Sequence, residues 1–285
     1  GMSSVELLKL VDPALYYSKF ISNGVFTDGR PINKFKPFSF KRGVVGGVPS
    51  GSALVRQGGV TVVCSLHGTL SPLSTQPSLT IQFETSDDNS DKSALSSVHS
   101  LLDELIRREA FFHKSALICS DDRLEWRLEA RFRILHSEGD LGAAVVGALL
   151  AALTDARLPV VHLAHARDDE APIDPSEITI EKDESLWLPV KLSAFPVAST
   201  FMIYIDEDGK SHLLADPPLD ARALCKSECT IVIGRDVTSS NDSNNQCILS
   251  LRTSGQCSDD LLTTMISIAE NRHENIVKAL LHGLR

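Results

Sequence analysis

The sequence predicts an α+β fold, in which strands and helices are grouped along the chain instead of alternating one by one. Residues Leu124–Ile134 alternate apolar and charged side chains, which is the period of a strand with one buried face. Residues Leu141–Leu153 form an apolar run with the length of a buried helix. The remaining strand-like and helix-like runs do not follow one another in turn, as a doubly wound sheet would require.

The N-terminal part is predicted to be mostly strand. Gly1 precedes Met2, so we interpret residues 1–12 as the scar of a cleaved tag followed by an extension. Gly58 and Gly59 separate two strand-like runs and predict a hairpin. The predicted elements here are a helix at Pro13–Ile21, an irregular connector at Asp28–Phe35, and strands at Lys36–Val44, Ser52–Arg56 and Val60–Gly68.

The middle of the chain carries two predicted helices on either side of the alternating strand. Apolar residues recur along Ala94–Phe112 at helical spacing. Asp140 stands where the N-cap of the apolar helix belongs, and this helix is expected to end at Asp155. The segment Thr85–Ser93 is polar enough to be mobile. Before it we expect a Ser/Pro-rich loop at Gly68–Ser78 and a strand at Leu79–Glu84.

The C-terminal part is predicted to be strands followed by one long helix. Ser258, with acidic residues directly after it, is typical of a helix start, and the helix is expected to reach Leu281. The turn-like segments Asp206–Gly209 and Val237–Asn245 predict hairpins. The predicted strands are Val160–Ala164, Ile178–Glu181, Leu186–Leu192, Val197–Ile205, His212–Ala215, Thr230–Ile233 and Cys247–Leu251.

Charge and hydropathy exclude several functional classes. The net charge of −9 argues against free-standing, nonspecific nucleic-acid binding. Residues 1–60 hold eight basic and three acidic side chains, whereas residues 161–220 hold four and thirteen. This asymmetry suits partners of both signs on different faces, or simply a solvated surface. No run reaches the ~18 to 20 apolar residues of a bilayer span, so no membrane association is expected. Six dispersed cysteines indicate a reduced, intracellular protein.

The most informative motif is the strand, glycine turn and helix of Arg131–Leu153. A helix N-terminus of this kind often holds a phosphate through free backbone N–H groups and the helix dipole. Here the turn carries Glu138 and Asp140, and no Ser, Thr, Lys or Arg lies between Gly139 and Gly142. Two unit charges ~4 Å apart repel by roughly 4 kcal/mol at an effective dielectric of 20. We therefore expect a doubly charged phosphate to be excluded.

Motifs for other chemistries are weak. The sequence has no Gly-x-Ser-x-Gly nucleophile, no phosphate-binding Gly-Lys-Ser/Thr loop and no His-Glu-x-x-His pair. The acidic pairs Asp87-Asp88, Asp121-Asp122 and Asp168-Asp169 are better explained as solvated turns, but they leave a metal-dependent hydrolase open as an alternative. No metal and no cofactor are predicted.

Several stretches resemble RNase PH-like subunits of the eukaryotic RNA exosome. The most specific is "SGSALVRQGGVTVVCSLHG", and "DGRPINKFKP", the strand–turn–helix described above and "ISIAENRHENIVKALL" also match. The resemblance implies an RNase PH-like fold of two similar βαβα-containing halves (ribosomal protein S5 domain 2-like) with a long C-terminal helix. We place the halves at residues 13–192 and 193–285.

The resemblance also implies partners and a location. Members of this family assemble as a six-member ring around an RNA channel. The chain would therefore contact two RNase PH-like ring neighbours, an S1/KH-type cap subunit, and RNA in the assembled channel. The expected location is the nucleus and nucleolus, and also the cytoplasm.

For the site, the resemblance implies a degenerate member of a phosphorolytic exoribonuclease family. The Gly-Thr/Ser-Arg phosphate loop of active members falls on Gly139, Asp140 and Leu141, and their general-acid aspartate falls on Ala194. A methyl group cannot donate a proton. The loop that carries RNA-binding arginines in active members has one Lys and three Asp in Thr85–Ser97. We therefore expect no catalytic activity, with an active phosphate-dependent 3′-to-5′ exoribonuclease as the alternative.

The remaining candidates are basic side chains that would contact RNA or neighbouring subunits. They come from the basic N-terminal region and from the charged face of the alternating strand. The set is Lys34, Lys36, Lys41, Arg42, Arg127, Arg131 and Arg133.

Overall fold

Two helices open the chain in the computed structural model, which describes residues 1–47, 50–84, 92–121, 123–164, 172–236 and 245–284. Helix α1 spans Ser4–Val11 and α2 spans Pro13–Ser22. A capping box starts α1, because Ser3 and Glu6 each accept from the other's backbone N–H. The prediction for α2 is confirmed, whereas α1 was missed inside the supposed extension. The helix was missed because these residues were interpreted as a tag scar and an extension, and in the structure none of them is buried.

The first sheet has five strands, and it confirms the predicted hairpin at Gly58-Gly59. Its strand order is β1-β2-β3-β5-β4. The strands are β1 (Phe38–Arg42), β2 (Gly51–Gln57), β3 (Val60–Pro72), β4 (Leu79–Glu84) and β5 (Leu124–Ser137). The loop predicted to start at Gly68 was placed too early. The backbone of β3 keeps pairing with β5 as far as Pro72, where a proline at a strand end costs no ladder bond.

Helix α3 (Lys92–Arg107) crosses between β4 and β5, which run parallel. This edge of the sheet therefore contains a strand–helix–strand unit, as the βαβα-containing halves implied by the resemblance require. The predicted helix end at Phe112 was wrong. Glu109 adopts a left-handed conformation with φ 53°, and the Ala110 N–H bonds to the Leu105 carbonyl at 2.9 Å, which is a Schellman ending. The apolar stripe continues beyond it as a buried loop. Residues 85–91 of the segment expected to be mobile lie outside the described ranges.

Helix α4 (Leu141–Asp155) follows β5 as predicted and is buried from Ala143 to Leu153. One side contacts β2 and β3. After it come two short strand pairs, which join β6 (Arg157–Leu158) with β9 (Leu188–Pro189), and β7 (Val161–Leu163) with β8 (Ile178–Ile180). The strand expected at Leu186–Leu192 is reduced to the two residues of β9, because Glu184–Leu186 form a 3₁₀ turn.

The second sheet has four strands in the order β11-β10-β12-β13 and closes on the other side of α4. Its elements are β10 (Val197–Ile205), β11 (Ser211–Ala215), the short helix α5 (Leu219–Arg222), β12 (Ser227–Arg235) and β13 (Gln246–Ser254). The chain ends with α6 (Asp259–Leu281), capped by Ser258 as predicted.

One continuous hydrophobic core joins both sheets through α4. It contains α4 residues such as Leu149 and Leu150, together with Val197 and Val232 of the second sheet and Leu280 of α6. Burying a leucine side chain contributes about 1.5 to 3 kcal/mol. Among the described residues, no helix combines the length and apolar character that crossing a bilayer requires.

Candidate functional site

The turn between β5 and α4 is fixed by backbone packing against the β2–β3 hairpin. The N–H of Glu138 donates to the carbonyl of Gly59 at 2.9 Å. A Cβ on Gly139 would lie 2.0 Å from the carbonyl oxygen of Gly58, so only glycine fits at position 139. The turn is therefore compact and held in a fixed position against the β2–β3 hairpin.

Asp140 caps α4 itself, which confirms the predicted N-cap. Its Oδ1 accepts from the Ala143 N–H at 3.1 Å. A first-turn N–H that a phosphate could otherwise bind is thus already satisfied by the chain. Glu138 adds a second carboxylate at the surface, where its Oε2 lies 3.3 Å from His136 Nε2. Leu141 packs against the hydrophobic core and offers no polar group.

Behind the turn lies a charged cluster made by Asp140, Asp216 and Arg272. The Asp216 carboxylate accepts from the Lys36 N–H at 3.0 Å. Burial raises the pKa of Asp216, and the negative charge of Asp140 raises it further. The positive charges of Arg272 and Arg30 oppose this rise. The pKa of Arg272 is lowered by burial, with both carboxylates opposing the change. Asp140 is therefore held between an internal guanidinium and a second carboxylate.

In front of the turn opens a cleft of about 430 Å³, which we call the α4 cleft. It lies between the N-terminal parts of α3 and α4 and the strands β12 and β13. Besides the turn, its polar lining includes Ser97, Arg222, Glu228, Thr230, Arg252 and Thr253. Sequence reasoning missed these residues, because strands far apart along the chain bring them together. The one available signal was a charged residue within a largely uncharged strand, namely Glu228 in β12 and Arg252 in β13.

The charges of the α4 cleft are largely balanced within the protein. Arg252 Nη2 pairs with Glu104 Oε2 at 2.7 Å. Burial tends to raise the pKa of Glu104, but hydrogen bonds from Arg252 and Ser250 bring the pKa below its ordinary value. The pKa of Glu228 is raised by burial and by Asp140, and Arg222 opposes this. The cleft thus presents two carboxylates, Asp140 and Glu228, toward the space where an anion would sit.

The structure does not bring Ala194 to this cleft. Its carbonyl accepts from the Arg235 N–H at 2.6 Å, at the end of β12. Glu228 lies at the opposite end of that strand, about 23 Å away at roughly 3.3 Å per residue. Ala194 is buried, and its own N–H donates to Ala110 at 3.0 Å. The geometry therefore gives no support for treating Ala194 and the turn as parts of one site.

Among the candidate basic residues, Arg42 has a structural role. Its Nε donates to Thr154 Oγ1 at 2.8 Å, and its Nη2 donates to the Leu280 carbonyl. These bonds join the C-terminal ends of α4 and α6 to β1. Lys41, its neighbour, is exposed on β1.

Three of the candidates lie on the outer face of the first sheet, as the alternation predicted. Each forms an ion pair with an acidic side chain on the same face. The pairs are Arg127 with Glu125 at 3.4 Å, Arg131 with Glu129, and Arg133 with Glu84 at 3.6 Å. This face is therefore close to neutral locally. Lys34 and Lys36 lie elsewhere, in the segment before β1 that faces α6.

The acidic pairs give no described metal site. Asp121 pairs with Arg123 at 3.0 Å, while the other five members of the three pairs lie outside the described residues. Within the described ranges, no three His, Cys, Asp or Glu side chains come together in a way that could hold a metal ion.

Fold and turn together define the class of the protein: it has an α+β, RNase PH-like fold, as the sequence predicted. Residues 34–159 match the family model of the RNase PH domain, described as the 3′ exoribonuclease family, domain 1.

Solved structures, two of them from exosome complexes, are similar over nearly the whole chain. A chain of the Archaeoglobus fulgidus exosome with RNA bound to the active site matches with a TM-score of 0.67 and 18% identity, covering 95% of this chain and 98% of that one. An archaeal exosome core chain matches with 0.64 and 19%, covering 96% and 99%. Rice (Oryza sativa) Rrp46 matches with 0.58 and 17%, covering 90% and 98%. At these identities the similarity establishes the fold.

Proposed function

We propose that this chain is a non-catalytic subunit of the RNA exosome core ring. It supports 3′-to-5′ RNA processing and degradation by completing the ring and lining its RNA channel. The observation that carries the proposal is the self-capped first turn of α4, where Asp140 occupies with its own carboxylate the place that a phosphate needs.

The electrostatics of the α4 cleft support the same conclusion. A phosphate at the turn would face Asp140 and, when ionised, Glu228, with Glu138 close by. The nearest cation of β13, Arg252, is already paired with Glu104. Each repulsive pair at ~4 Å costs roughly 4 kcal/mol at an effective dielectric of 20. The attraction of Arg222 alone does not offset the repulsion of a phosphate by two carboxylates. Phosphate, which is the nucleophile in phosphorolysis, is therefore not bound at this turn.

The proposal extends to identity, partners and location. The "FPVAST" and "GALLAAL" segments resemble the non-catalytic eukaryotic subunit called ribosomal RNA-processing protein 43, with its paralogues 42 and 45 as alternatives because of "ADPPLD". The partners would be two RNase PH-like ring neighbours, an S1/KH-type cap subunit and RNA in the channel. Fluorescence microscopy should then show the tagged chain in the nucleus, the nucleolus and the cytoplasm.

Affinity purification of the tagged chain from its own cells, followed by mass spectrometry, tests the assembly. We expect five further RNase PH-like chains and cap proteins in comparable amounts. Recovery of the chain alone, or with unrelated proteins, would contradict the ring proposal.

A phosphorolysis assay tests the non-catalytic part separately. The purified chain is incubated with a 3′-hydroxyl oligoribonucleotide and inorganic phosphate, and we expect no nucleoside diphosphate. Release that depends on phosphate and disappears in Arg222→Ala would instead establish the active exoribonuclease. The double variant Asp140→Ser, Leu141→Arg restores the hydroxyl and the guanidinium, and it should bind inorganic phosphate more tightly than the wild type in calorimetry.

A further inference from the structure

A second groove, remote from the α4 cleft, lies between the segment Asn33–Phe38 and α6. We call it the α6 groove, and its volume is about 420 Å³. Its floor is apolar, with Phe35, Phe38 and Ile276 among the lining side chains. None of the described residues that line it is acidic, although the chain as a whole carries a net charge of −9.

One wall of the groove is a polar strip along α6. Asn271 and Asn275 are both exposed and stand one turn apart, with Ala279 a further turn along. Residues four apart lie on the same face of a helix, about 6 Å from one another. The opposite wall carries Lys34 and Lys36. Amide groups therefore face ammonium groups across an apolar floor.

The groove is held rigidly by contacts beneath it. The Arg272 guanidinium stacks 4.6 Å from the centre of the Phe35 ring, which also contacts Phe201 edge-on at 5.2 Å. The N–H of Lys36 is bound by Asp216, and the carbonyl of Lys34 accepts from Arg30. Because these bonds use the backbone, the lysine side chains remain available on the surface.

The polar groups of the walls are not used inside the protein. In the part of the chain that the structure describes, the side chains of Asn33, Asn271 and Asn275 form no hydrogen bond. Within the same ranges, Lys34 and Lys36 form no ion pair. These exposed amide and ammonium groups can therefore bond to a bound segment while an apolar side chain of that segment lies on the floor.

The chemistry of the walls selects the occupant. A primary amide offers one acceptor and two donors, so it pairs with both the C=O and the N–H of an extended peptide backbone. A nucleic-acid backbone offers phosphate oxygens, which use only donors and call for a higher density of positive charge. The lysines and the absence of acids favour negative side chains, and the floor accepts an apolar one. We propose that the α6 groove binds an extended, acidic segment of a partner protein, anchored by an apolar side chain.

A random dodecapeptide phage library selected on the purified full chain tests this proposal. We expect peptides rich in Asp and Glu around an aromatic or aliphatic residue. Synthetic fluorescein-labelled copies should bind the variant Asn271→Ala, Asn275→Ala about tenfold or more weakly in fluorescence anisotropy, which corresponds to about 1.4 kcal/mol. Ser96→Ala, which alters an exposed residue of α3 outside the groove, should bind like the wild type.

A charge-matched comparison separates local binding from general electrostatics. The variant Lys34→Glu, Lys36→Glu should lose binding, whereas Lys182→Glu, Lys191→Glu has the same net charge and should keep most of it. Thermal melting confirms that each variant is folded. Three results would overturn the proposal: no enriched peptide, equal binding by both lysine variants, or displacement of the peptide by a fluorescein-free dodecauridylate that binds more tightly than the peptide does.

Discussion

Arg272 Nη1 donates to the carbonyl oxygen of Ala198 at 2.8 Å, and this bond ties α6 to the first strand of the second sheet. The same nitrogen lies 2.9 Å from Ser199 Oγ. Since the guanidinium is buried beside two carboxylates, its removal would strand negative charge in the interior. Several properties of the molecule follow from such buried polar contacts.

Replacing Arg272 by Met should lower the free energy of unfolding by about 3 to 5 kcal/mol, the usual cost of leaving a buried charge without its compensating partner. Urea denaturation measures the change. The double variant Arg272→Met, Asp216→Asn should recover part of the loss, because the stranded carboxylate is then neutral. A double variant no more stable than Arg272→Met would show that the charge is not the cause.

Replacing Asp140 by Ala should cost about 1 kcal/mol through loss of the N-cap. Asp140→Ser keeps a capping oxygen and removes the charge, so it should be more stable than Asp140→Ala in thermal or urea unfolding. Equal stability of the two variants would mean that the cap contributes nothing and that the first turn of α4 is held by packing alone.

His273 should make the protein less stable as the pH falls from 7 to 5. Burial lowers the pKa of His273 to about 4, and its Nε2–H donates to the Phe195 carbonyl while Nδ1 accepts from Gln246. Between about pH 6.5 and 4 the His273 imidazole is protonated in the unfolded chain but neutral in the folded chain. The free energy of unfolding therefore falls by about 2 kcal/mol by pH 5.

The measurement is urea unfolding at pH 7 and pH 5 for the wild type and for His273→Gln. The wild type should lose about 2 kcal/mol more than the variant over this interval. His162→Gln, which alters an exposed histidine, serves as the control and should behave like the wild type. Parallel losses in wild type and His273→Gln would contradict the assignment.

Tyr17→Phe should destabilise the junction between α2 and α5 by about 1.5 kcal/mol. The Tyr17 hydroxyl donates to Asp220 Oδ2 at 2.5 Å, and burial raises the pKa of this tyrosine. Tyr16→Phe removes a neighbouring hydroxyl that has no hydrogen bond in the described ranges, so it should be close to neutral. Guanidinium unfolding of both variants makes the comparison.

Local features of the molecule could be predicted from the sequence, and features assembled from distant residues could not. The period of Leu124–Ile134 and the cap at Asp140 depend on neighbours within a few residues. The cap is confirmed, and the alternation holds from Leu128 onward, whereas Glu125 is buried instead of lying on an exposed face. Glu228 and Arg252 enter the α4 cleft only because β12 pairs with β13 and both lie against α3. Ala194 shows the reverse error, since a motif match placed it in a site that the fold keeps far from it.

The errors at the ends of elements have equally physical origins. An apolar stripe continues past the end of α3 because the loop that follows is buried, so periodicity alone overestimates the helix. The parallel pairing of β4 with β5 joins residues far apart along the chain, so no local sequence pattern indicates it. The RNase PH-like fold was identified from short matching stretches, which carry more information than residue periodicity does.

Helix α4, in contact with both sheets, makes the two predicted halves mutually dependent. A fragment of residues 1–192 expressed alone would leave the side of α4 that faces β10 in water, and we expect it to aggregate. Co-expression with residues 193–285 would cover that side again, so the two fragments should reassemble into a soluble, noncovalent complex. The backbone could thus be cut between the two halves, but the hydrophobic core around α4 needs both halves to form.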